Sequence, residues 1–224
     1  MPLHLFIPKK LLHSKERFFI LLCLILGLLV LVSILNRFTA IRIFLDIFLT
    51  AIFISMIYVI SPKRGFFIAG ALLVVVMLTS FWLQHYIQNK GLAAISMLLG
   101  VLFVGLVIAS ILGSILKAEE VNQEIIYMAI LLYLLAALMW AFLYTFLELV
   151  DPASLNIDLD HANRYLLAFQ YYSFVTITTV GYGDITPVTD VAKAFSVLEA
   201  ICGQLYLVVA VAGLVGMHVS AKSK

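Results

Sequence analysis

The chain has 224 residues, of which 64% are hydrophobic and 12% are charged, and its formal net charge is +2. Soluble domains are about half apolar and about one quarter charged, so this composition excludes a protein that hides its apolar residues in a water-soluble core. We therefore expect the chain to lie in a lipid bilayer, and we expect no nucleic-acid partner.

Six apolar stretches follow one another along the chain, each close to the roughly 20 residues that a transmembrane helix needs. They cover residues 18–35, 41–60, 66–87, 92–116, 125–149 and 191–219. The first stretch is too long for a signal peptide and ends without a small-residue cleavage site, so we expect a retained helix. The sequence predicts an all-α membrane protein with six transmembrane helices.

The basic residues predict the orientation of these helices. With six spans both termini lie on one side of the membrane, and nine of the 14 Lys and Arg residues fall on that side, against five on the other. Cytoplasmic loops carry the excess of basic residues, so we expect a multi-pass protein of the cell membrane with both termini in the cytoplasm.

The chain divides into three predicted parts. Residues 1–17 form a cytoplasmic segment, residues 18–118 a four-helix membrane domain, and residues 119–224 a helix, a re-entrant loop and a final helix. The order of spans and loops alone gives this division.

The loop between the fifth and sixth spans contains a polar part and an apolar part. Residues 151–160 are polar and acidic, and we expect them to form an extracellular turret. Residues 162–177 have the length of a helix that is too short to cross a bilayer. Non-helical backbone at membrane depth is tolerated only where protein buries it or where it lines a water-filled space. The sequence therefore predicts a re-entrant helix whose C-terminal, negative dipole end points to the membrane centre.

Residues 178–184, here called the filter segment, read Thr-Thr-Val-Gly-Tyr-Gly-Asp and follow Thr176. The two glycines are free to take a positive φ, so successive carbonyl groups can be turned the same way. Four such loops around one axis can replace the water shell of a K⁺ ion. This run resembles the selectivity filter of the potassium-channel family, whose six-helix members carry one pore loop per subunit. The resemblance covers residues 119–224, close to half of the chain.

The resemblance implies which residues bind the ion. K⁺ is expected at Thr179, Val180, Gly181 and Tyr182, and Gly183 is expected to close the outer mouth. We expect no catalytic residue and no cofactor apart from these K⁺ ions. One loop supplies one quarter of a ring, so the resemblance also implies a homotetramer with the pore on its axis.

The resemblance further implies residues that support the filter segment, namely Thr178, Asp184, Tyr171 and Tyr172. For the two tyrosines outside the segment, an ordinary position at the membrane interface is the alternative. Many members of the family carry a glutamate four residues before the filter threonine, and Val175 stands there in this chain. The support must therefore come from other contacts.

The sixth span contains the gating candidates. Gly203 lies 20 residues after Gly183, where the family has a hinge glycine. Bending at this residue and packing against the re-entrant helix are equally weighted explanations. Glu199 is the only acid deep in this span, and we expect it to find a hydrogen-bond partner behind the filter segment. Helical spacing gives the candidates for lining the cavity: Gln204, Leu207, Val208, Val211 and Val215.

The first four spans match the four-helix domain of voltage-gated channels only in number and position. Residues 92–116, the fourth span, contain no Lys or Arg. A voltage sensor needs repeated charges, because each one that crosses the field contributes about 2.3 kcal/mol per 100 mV. Voltage sensing through this helix is therefore excluded.

The sequence predicts a homotetrameric channel that conducts K⁺ down its electrochemical gradient and is not gated by a charged helix. A nonselective cation channel and a non-conducting regulatory membrane protein that retains a pore hairpin are the alternatives. An enzyme is not expected, because no paired carboxylates and no Ser–His–Asp or metal-ligand pattern is present. The histidines lie scattered along the chain: His4, His13, His85, His161 and His218.

Overall fold

The computed structural model describes residues 14–35, 42–59, 64–84, 86–87, 89–118, 120–157 and 162–222. Within these residues the chain forms helices and no strand, apart from one isolated antiparallel bridge between Leu155 and Pro187. The all-α prediction is confirmed. The helices are α1 (Ser14–Leu35), α2 (Arg42–Val59), α3 (Arg64–Leu83), α4 (Lys90–Ile115), α5 (Gln123–Val150), α6 (Ala162–Ile177) and α7 (Asp190–Lys222).

Three of the helices in the described part are long and apolar enough to cross a bilayer. They cover Lys90–Ile115, Gln123–Val150 and Asp190–Ala210, and the segments Ile47–Val59 and Phe67–Leu83 are apolar but shorter. These helices support a membrane location. The count of six spans stays a prediction, and most of the predicted segment 1–17 lies outside the described residues.

Asparagine side chains cap the N-termini of α4 and α5. The side chain of Asn89 accepts hydrogen bonds from the amides of Gly91 and Leu92 at the start of α4. Asn122 accepts one from the amide of Ile125 at the start of α5. These bonds satisfy amides that have no partner within the helix, and they fix where each long apolar helix starts.

Helices α4 and α5 form an antiparallel hairpin, and they are the most extensively packed pair in the structure. Gly100 lies directly against the ring of Phe142, where a Cβ atom would come within 2.8 Å of Cδ1, and Gly105 lies near Met139. The connection over residues 116–122 contains no helix among its described residues. Helix α4 therefore packs along α5 of its own chain.

A common core joins the first helices to this hairpin. The ring of Phe53 on α2 contacts Phe103 on α4 and Phe142 on α5, at centroid distances of 6.1 and 5.9 Å. Gln84, directly after α3, donates a buried hydrogen bond of 2.8 Å to Ser96 on α4. This core includes residues on both sides of residue 118, and the predicted division there stays a prediction.

Helix α6 packs mainly against α5 and, less extensively, against α7. A second small core lies between α5, the described start of the turret and α6, and it consists of Tyr144, Leu155, Phe169 and Tyr172. Helix α7 leaves many large apolar side chains uncovered in the single chain. They include Val191, Val197, Leu198, Ile201, Leu205 and Val208.

Candidate functional site

The backbone of the filter segment alternates in handedness. Thr179, Gly181 and Gly183 have φ angles of 60°, 59° and 79°, whereas Val180 and Tyr182 between them have no positive φ. In an ordinary strand successive carbonyls point to opposite sides, and a left-handed residue at every second position turns them back to one side. The segment therefore presents a row of carbonyl oxygens, which is the ligand set that a dehydrated cation needs.

The left-handed residue Thr179 was not expected from the sequence, which pointed only to the two glycines. A residue with a Cβ atom in this region costs about 1–2 kcal/mol, so the surrounding structure must hold it. The amide of Thr179 donates to the carbonyl of Thr176 at 2.9 Å. The amides of Val180 and Gly181 both donate to the carbonyl of Val175, at 3.0 and 3.3 Å. The last turn of α6 thus fixes the start of the filter segment.

The junction between α6 and the filter segment is held from two further helices. Tyr133 on α5 donates from its hydroxyl to the carbonyl of Ile177 at 2.9 Å. Gly203 on α7 lies against the same carbonyl, because a Cβ atom built there would be 2.6 Å from that oxygen. Thr178 donates from its hydroxyl to the carbonyl of Phe174, back along α6. The end of α6 is therefore clamped between α5 and α7.

Of these residues, Tyr133 was missed by sequence reasoning. Its signal was available, because Tyr133 places a hydroxyl group among the leucines in the first half of α5. A buried hydroxyl in such surroundings needs a partner. The sequence could not name that partner, because Ile177 lies 44 residues away.

The outer end of the filter segment is tied to α6 by Tyr171. Its hydroxyl donates to Asp184 at 2.8 Å, and its ring stacks on Tyr182 with a centroid distance of 6.5 Å and planes 4° apart. The hydrogen bond from Tyr171 holds the pKa of the Asp184 carboxyl below its ordinary value. The sequence predicted both residues as filter support, and the structure places them in contact.

The neighbouring tyrosine, Tyr172, has a different surrounding. Its side chain is buried, its hydroxyl lies 2.6 Å from the hydroxyl of Ser196 on α7, and its ring meets Tyr144 edge to face at 5.0 Å. Tyr172 therefore connects α5, α6 and α7, and its predicted part in supporting the filter segment stays a prediction.

The inner end of the filter segment meets α7 at Gln204. The side-chain amide of Gln204 donates to the Thr179 hydroxyl at 3.3 Å. Leu207 and Val208, further along α7, are exposed in the single chain. The side chains of Val211 and Val215 lie outside the described residues, so their predicted cavity positions stay predictions.

The described part of the turret is anchored to α5 by Glu148. The buried side chain of Glu148 accepts hydrogen bonds from the amides of Ala153 and Leu155, at 2.8 and 3.1 Å. The carbonyl of Ser154 in turn accepts a hydrogen bond of 2.8 Å from the amide of Val188, which follows the filter segment. The chain on both sides of α6 and the filter segment is therefore joined at its outer end.

A family model described as "Ion channel" matches residues 128–219. The match covers less than half of the chain and includes most of α5, all of α6, the filter segment and most of α7. It supports an ion channel, a protein that moves ions rather than one that catalyses a reaction. No curated protein and no solved structure matches the chain.

Replacing Tyr171 by Phe tests the outer tie. The ring stays over Tyr182, but Asp184 loses the donor that lowers its pKa. In the wild type this contact is present above the ordinary pKa of the carboxyl and is lost as the pH falls through the lowered value. Without the Tyr171 hydroxyl the pKa of Asp184 is higher, so its carboxyl is protonated at a higher pH. We therefore expect ion flux into liposomes to decline at a higher pH in Tyr171→Phe than in the wild type. Tyr86→Phe, at an exposed side chain, is the control, and identical acid profiles for all three proteins would contradict the tie.

Replacing Gly203 by Ala tests the clamp on α6. The new methyl group meets the Ile177 carbonyl, so we expect overpacking to lower the stability by about 1–3 kcal/mol. Gly213→Ala on the same helix is the matched control, because a Cβ atom there meets nothing within 4 Å. Thermal unfolding in detergent measures both variants. Equal stabilities would favour bending, rather than packing, as the reason for a glycine at position 203.

Proposed function

We propose that the chain is one subunit of a K⁺-selective channel in which four copies surround a pore that conducts K⁺ down its electrochemical gradient. The observation that carries this proposal is the positive φ at Thr179, Gly181 and Gly183, directly after the short helix α6. This backbone offers carbonyl oxygens along one side, and rings of such oxygens replace the hydration shell of K⁺ in selective pores.

Each residue of the filter segment has a part in this proposal. Thr179 supplies its carbonyl and its hydroxyl at the inner entrance, and Val180, Gly181 and Tyr182 supply carbonyls. Gly183 closes the outer mouth. The C-terminus of α6 directs the negative end of its dipole toward the inner entrance, which favours a cation there. The Tyr182 ring, stacked on Tyr171, stands behind the row of oxygens and maintains its width.

Assembly into a tetramer is supported by what the single chain leaves uncovered. In the spanning window of α7 only 17% of the residues are buried, against 56% in that of α5. Every residue from Thr178 to Asp184 is exposed in the single chain. The row of oxygens from one chain also contacts an ion from one side only. Four copies around an axis complete the ring and cover part of α7.

We also propose that the protein lies in the cell membrane with both termini in the cytoplasm. The supporting observation is the excess of Lys and Arg on the side of the termini. In this orientation the turret and Asp184 face outward.

The proposed channel is not gated by a voltage-sensing fourth helix. The only basic residue of α4 is Lys90, at its first position. The connection from α4 to α5 is short and contains no helix among its described residues. Helix α4 packs extensively against α5. The described part of the chain therefore has neither the repeated charges of a voltage sensor nor a connecting helix that would transmit a movement of α4 to α5.

Measuring K⁺ and Na⁺ flux separately in liposomes that contain the purified protein tests the selectivity. We expect K⁺ flux to exceed Na⁺ flux in the wild type. We expect Gly183→Ala, at φ 79°, to lower K⁺ flux at least about tenfold, because the left-handed conformation is disfavoured for alanine. Tyr182→Ala removes the ring behind the oxygens, and we expect it to lose the preference for K⁺.

Gly113→Ala is the matched control for Gly183→Ala. A Cβ atom has free space at both positions in the single chain, but Gly113 lies within α4 and has no positive φ. Normal flux in both glycine variants would show that the filter segment is not the pore. Equal K⁺ and Na⁺ flux through the wild type would favour the nonselective channel, and no flux of either ion would favour the non-conducting regulatory protein.

Currents across a planar bilayer test the absence of a charged sensor. We expect the conductance to lack a steep sigmoidal dependence on voltage, because α4 carries no charge within the membrane. Lys90→Gln removes the single basic residue of α4 and should leave the current–voltage relation unchanged. A steep relation that Lys90→Gln flattens would refute this interpretation of α4.

A further inference from the structure

The carboxyl group of Glu199 is fully buried where α5, α6 and α7 meet. The hydroxyl of Tyr144 on α5 donates to its Oε2 atom at 2.7 Å. The hydroxyl of Ser173 on α6 lies within hydrogen-bond distance of its Oε1 atom. The expected hydrogen-bond partners of Glu199 are thus a tyrosine and a serine from two other helices.

The number of hydrogen atoms in this cluster determines its charge. The Ser173 hydroxyl lies 2.7 Å from the carbonyl of Ala137, and a carbonyl can only accept. Ser173 has a single hydrogen, so its bond to Ala137 leaves a lone pair facing Oε1 of Glu199. The hydrogen of that second contact must then come from Glu199. If Glu199 were ionised, one of the two contacts of Ser173 would join two acceptor oxygens with no hydrogen atom between them.

We infer that Glu199 is held as a neutral carboxylic acid whose hydroxyl donates to Ser173, and that it is a positioning residue for α6 behind the filter segment. The part that concerns conduction rests on the proposed function. A neutral acid accepts from Tyr144 with one oxygen and donates to Ser173 with the other, so every contact of the cluster has one hydrogen.

The charges around Glu199 agree with the neutral form. The titratable groups that interact with it are Tyr133 and Tyr144 from α5 and Tyr172 from α6, all uncharged at neutral pH. No Lys or Arg of the described residues forms an ion pair with Glu199, and the ion pair Lys193–Asp190 lies at the exposed start of α7. An isolated carboxylate buried without a cation is strongly disfavoured.

Ser173 links this cluster to the filter segment. It lies two residues after Tyr171, which holds Asp184, and two residues before Val175, whose carbonyl receives the amides of Val180 and Gly181. A helix that is held at Ser173 keeps both of these contacts in register. The glutamate on α7 thus supplies support from behind α6, in a chain that has valine at position 175.

Infrared spectroscopy of the full-length protein in lipid tests the protonation state without any need for conduction. Subtracting the spectrum of Glu199→Gln from that of the wild type at neutral pH isolates the band of this side chain. We expect the carbonyl stretching band of a protonated carboxylic acid. The paired bands of a carboxylate would overturn the inference.

Two substitutions test the positioning. Glutamine keeps both hydrogen bonds, because its amide nitrogen donates to Ser173 and its oxygen accepts from Tyr144. We expect Glu199→Gln to keep K⁺ flux and selectivity within about twofold of the wild type, and Glu199→Leu to lower selective flux at least about tenfold, because it leaves buried groups unpaired. A Glu199→Gln variant as impaired as Glu199→Leu would show that the carboxylate form is needed.

Raising the pH provides a second readout. We expect wild-type flux to fall over the pH range in which the infrared spectrum shows that Glu199 loses its proton, because Ser173 then faces a second acceptor. Flux through Glu199→Gln should stay constant over that range. If Glu199→Leu fails to assemble, Ser173→Ala takes its place, with the same expected loss. Parallel pH profiles for the wild type and Glu199→Gln would contradict the positioning role. A wild type that conducts no ion would refute the proposed function, and the infrared comparison would still decide the protonation state.

Discussion

A backbone that turns its carbonyls to one side does not use these oxygens as acceptors for its own amides, and this constraint governs the surroundings of the filter segment. In the proposed channel these oxygens bind the ion, so the segment must be held through its amides, side chains and neighbouring peptide groups. The amides of Val180 and Gly181 bond to Val175, and Asp184 accepts from Tyr171. All of these partners lie on α6, so the position of α6 decides the position of the oxygens.

The stability of a helix in a protein comes mostly from packing, and the neighbours of α6 hold it at successive heights. Near its C-terminus Tyr133 and Gly203 enclose the carbonyl of Ile177. One turn earlier, Ser173 joins α5 and α7 through Ala137 and Glu199. The hydrogen-bond partners of these groups on α6 therefore lie on α5 and α7, whereas α1 and α4 pack against α5.

Local features of the site could be predicted from the sequence, and long-range ones could not. The short helix over residues 162–177 could be predicted from the length of this apolar stretch between polar flanks. The two glycines of the filter segment indicated positive φ angles at their positions. The partner of Glu199 was expected because a buried acid requires one, but its identity depends on which helix faces which. The contact of Tyr133 with Ile177 joins residues far apart in the chain, across apolar helices whose sequences contain no pattern for pairing. Packing of Gly203 against the re-entrant helix was one of two expected explanations, but the sequence did not name Ile177 as the residue that it meets. The positive φ of Thr179 was hidden for a related reason, because only its surroundings stabilise it.

The contact of Gly203 with Ile177 brings together two explanations that sequence reasoning kept apart. Packing requires glycine at position 203, because any Cβ atom would meet the Ile177 carbonyl. Bending of α7 at the same residue changes that contact, because the backbone of Gly203 is what touches the end of α6. The next residue, Gln204, donates to Thr179 at the inner end of the filter segment. A rotation of α7 about this point therefore disturbs the contact at Thr179, so in this chain a hinge at Gly203 would act on the filter segment as well as on the following part of α7.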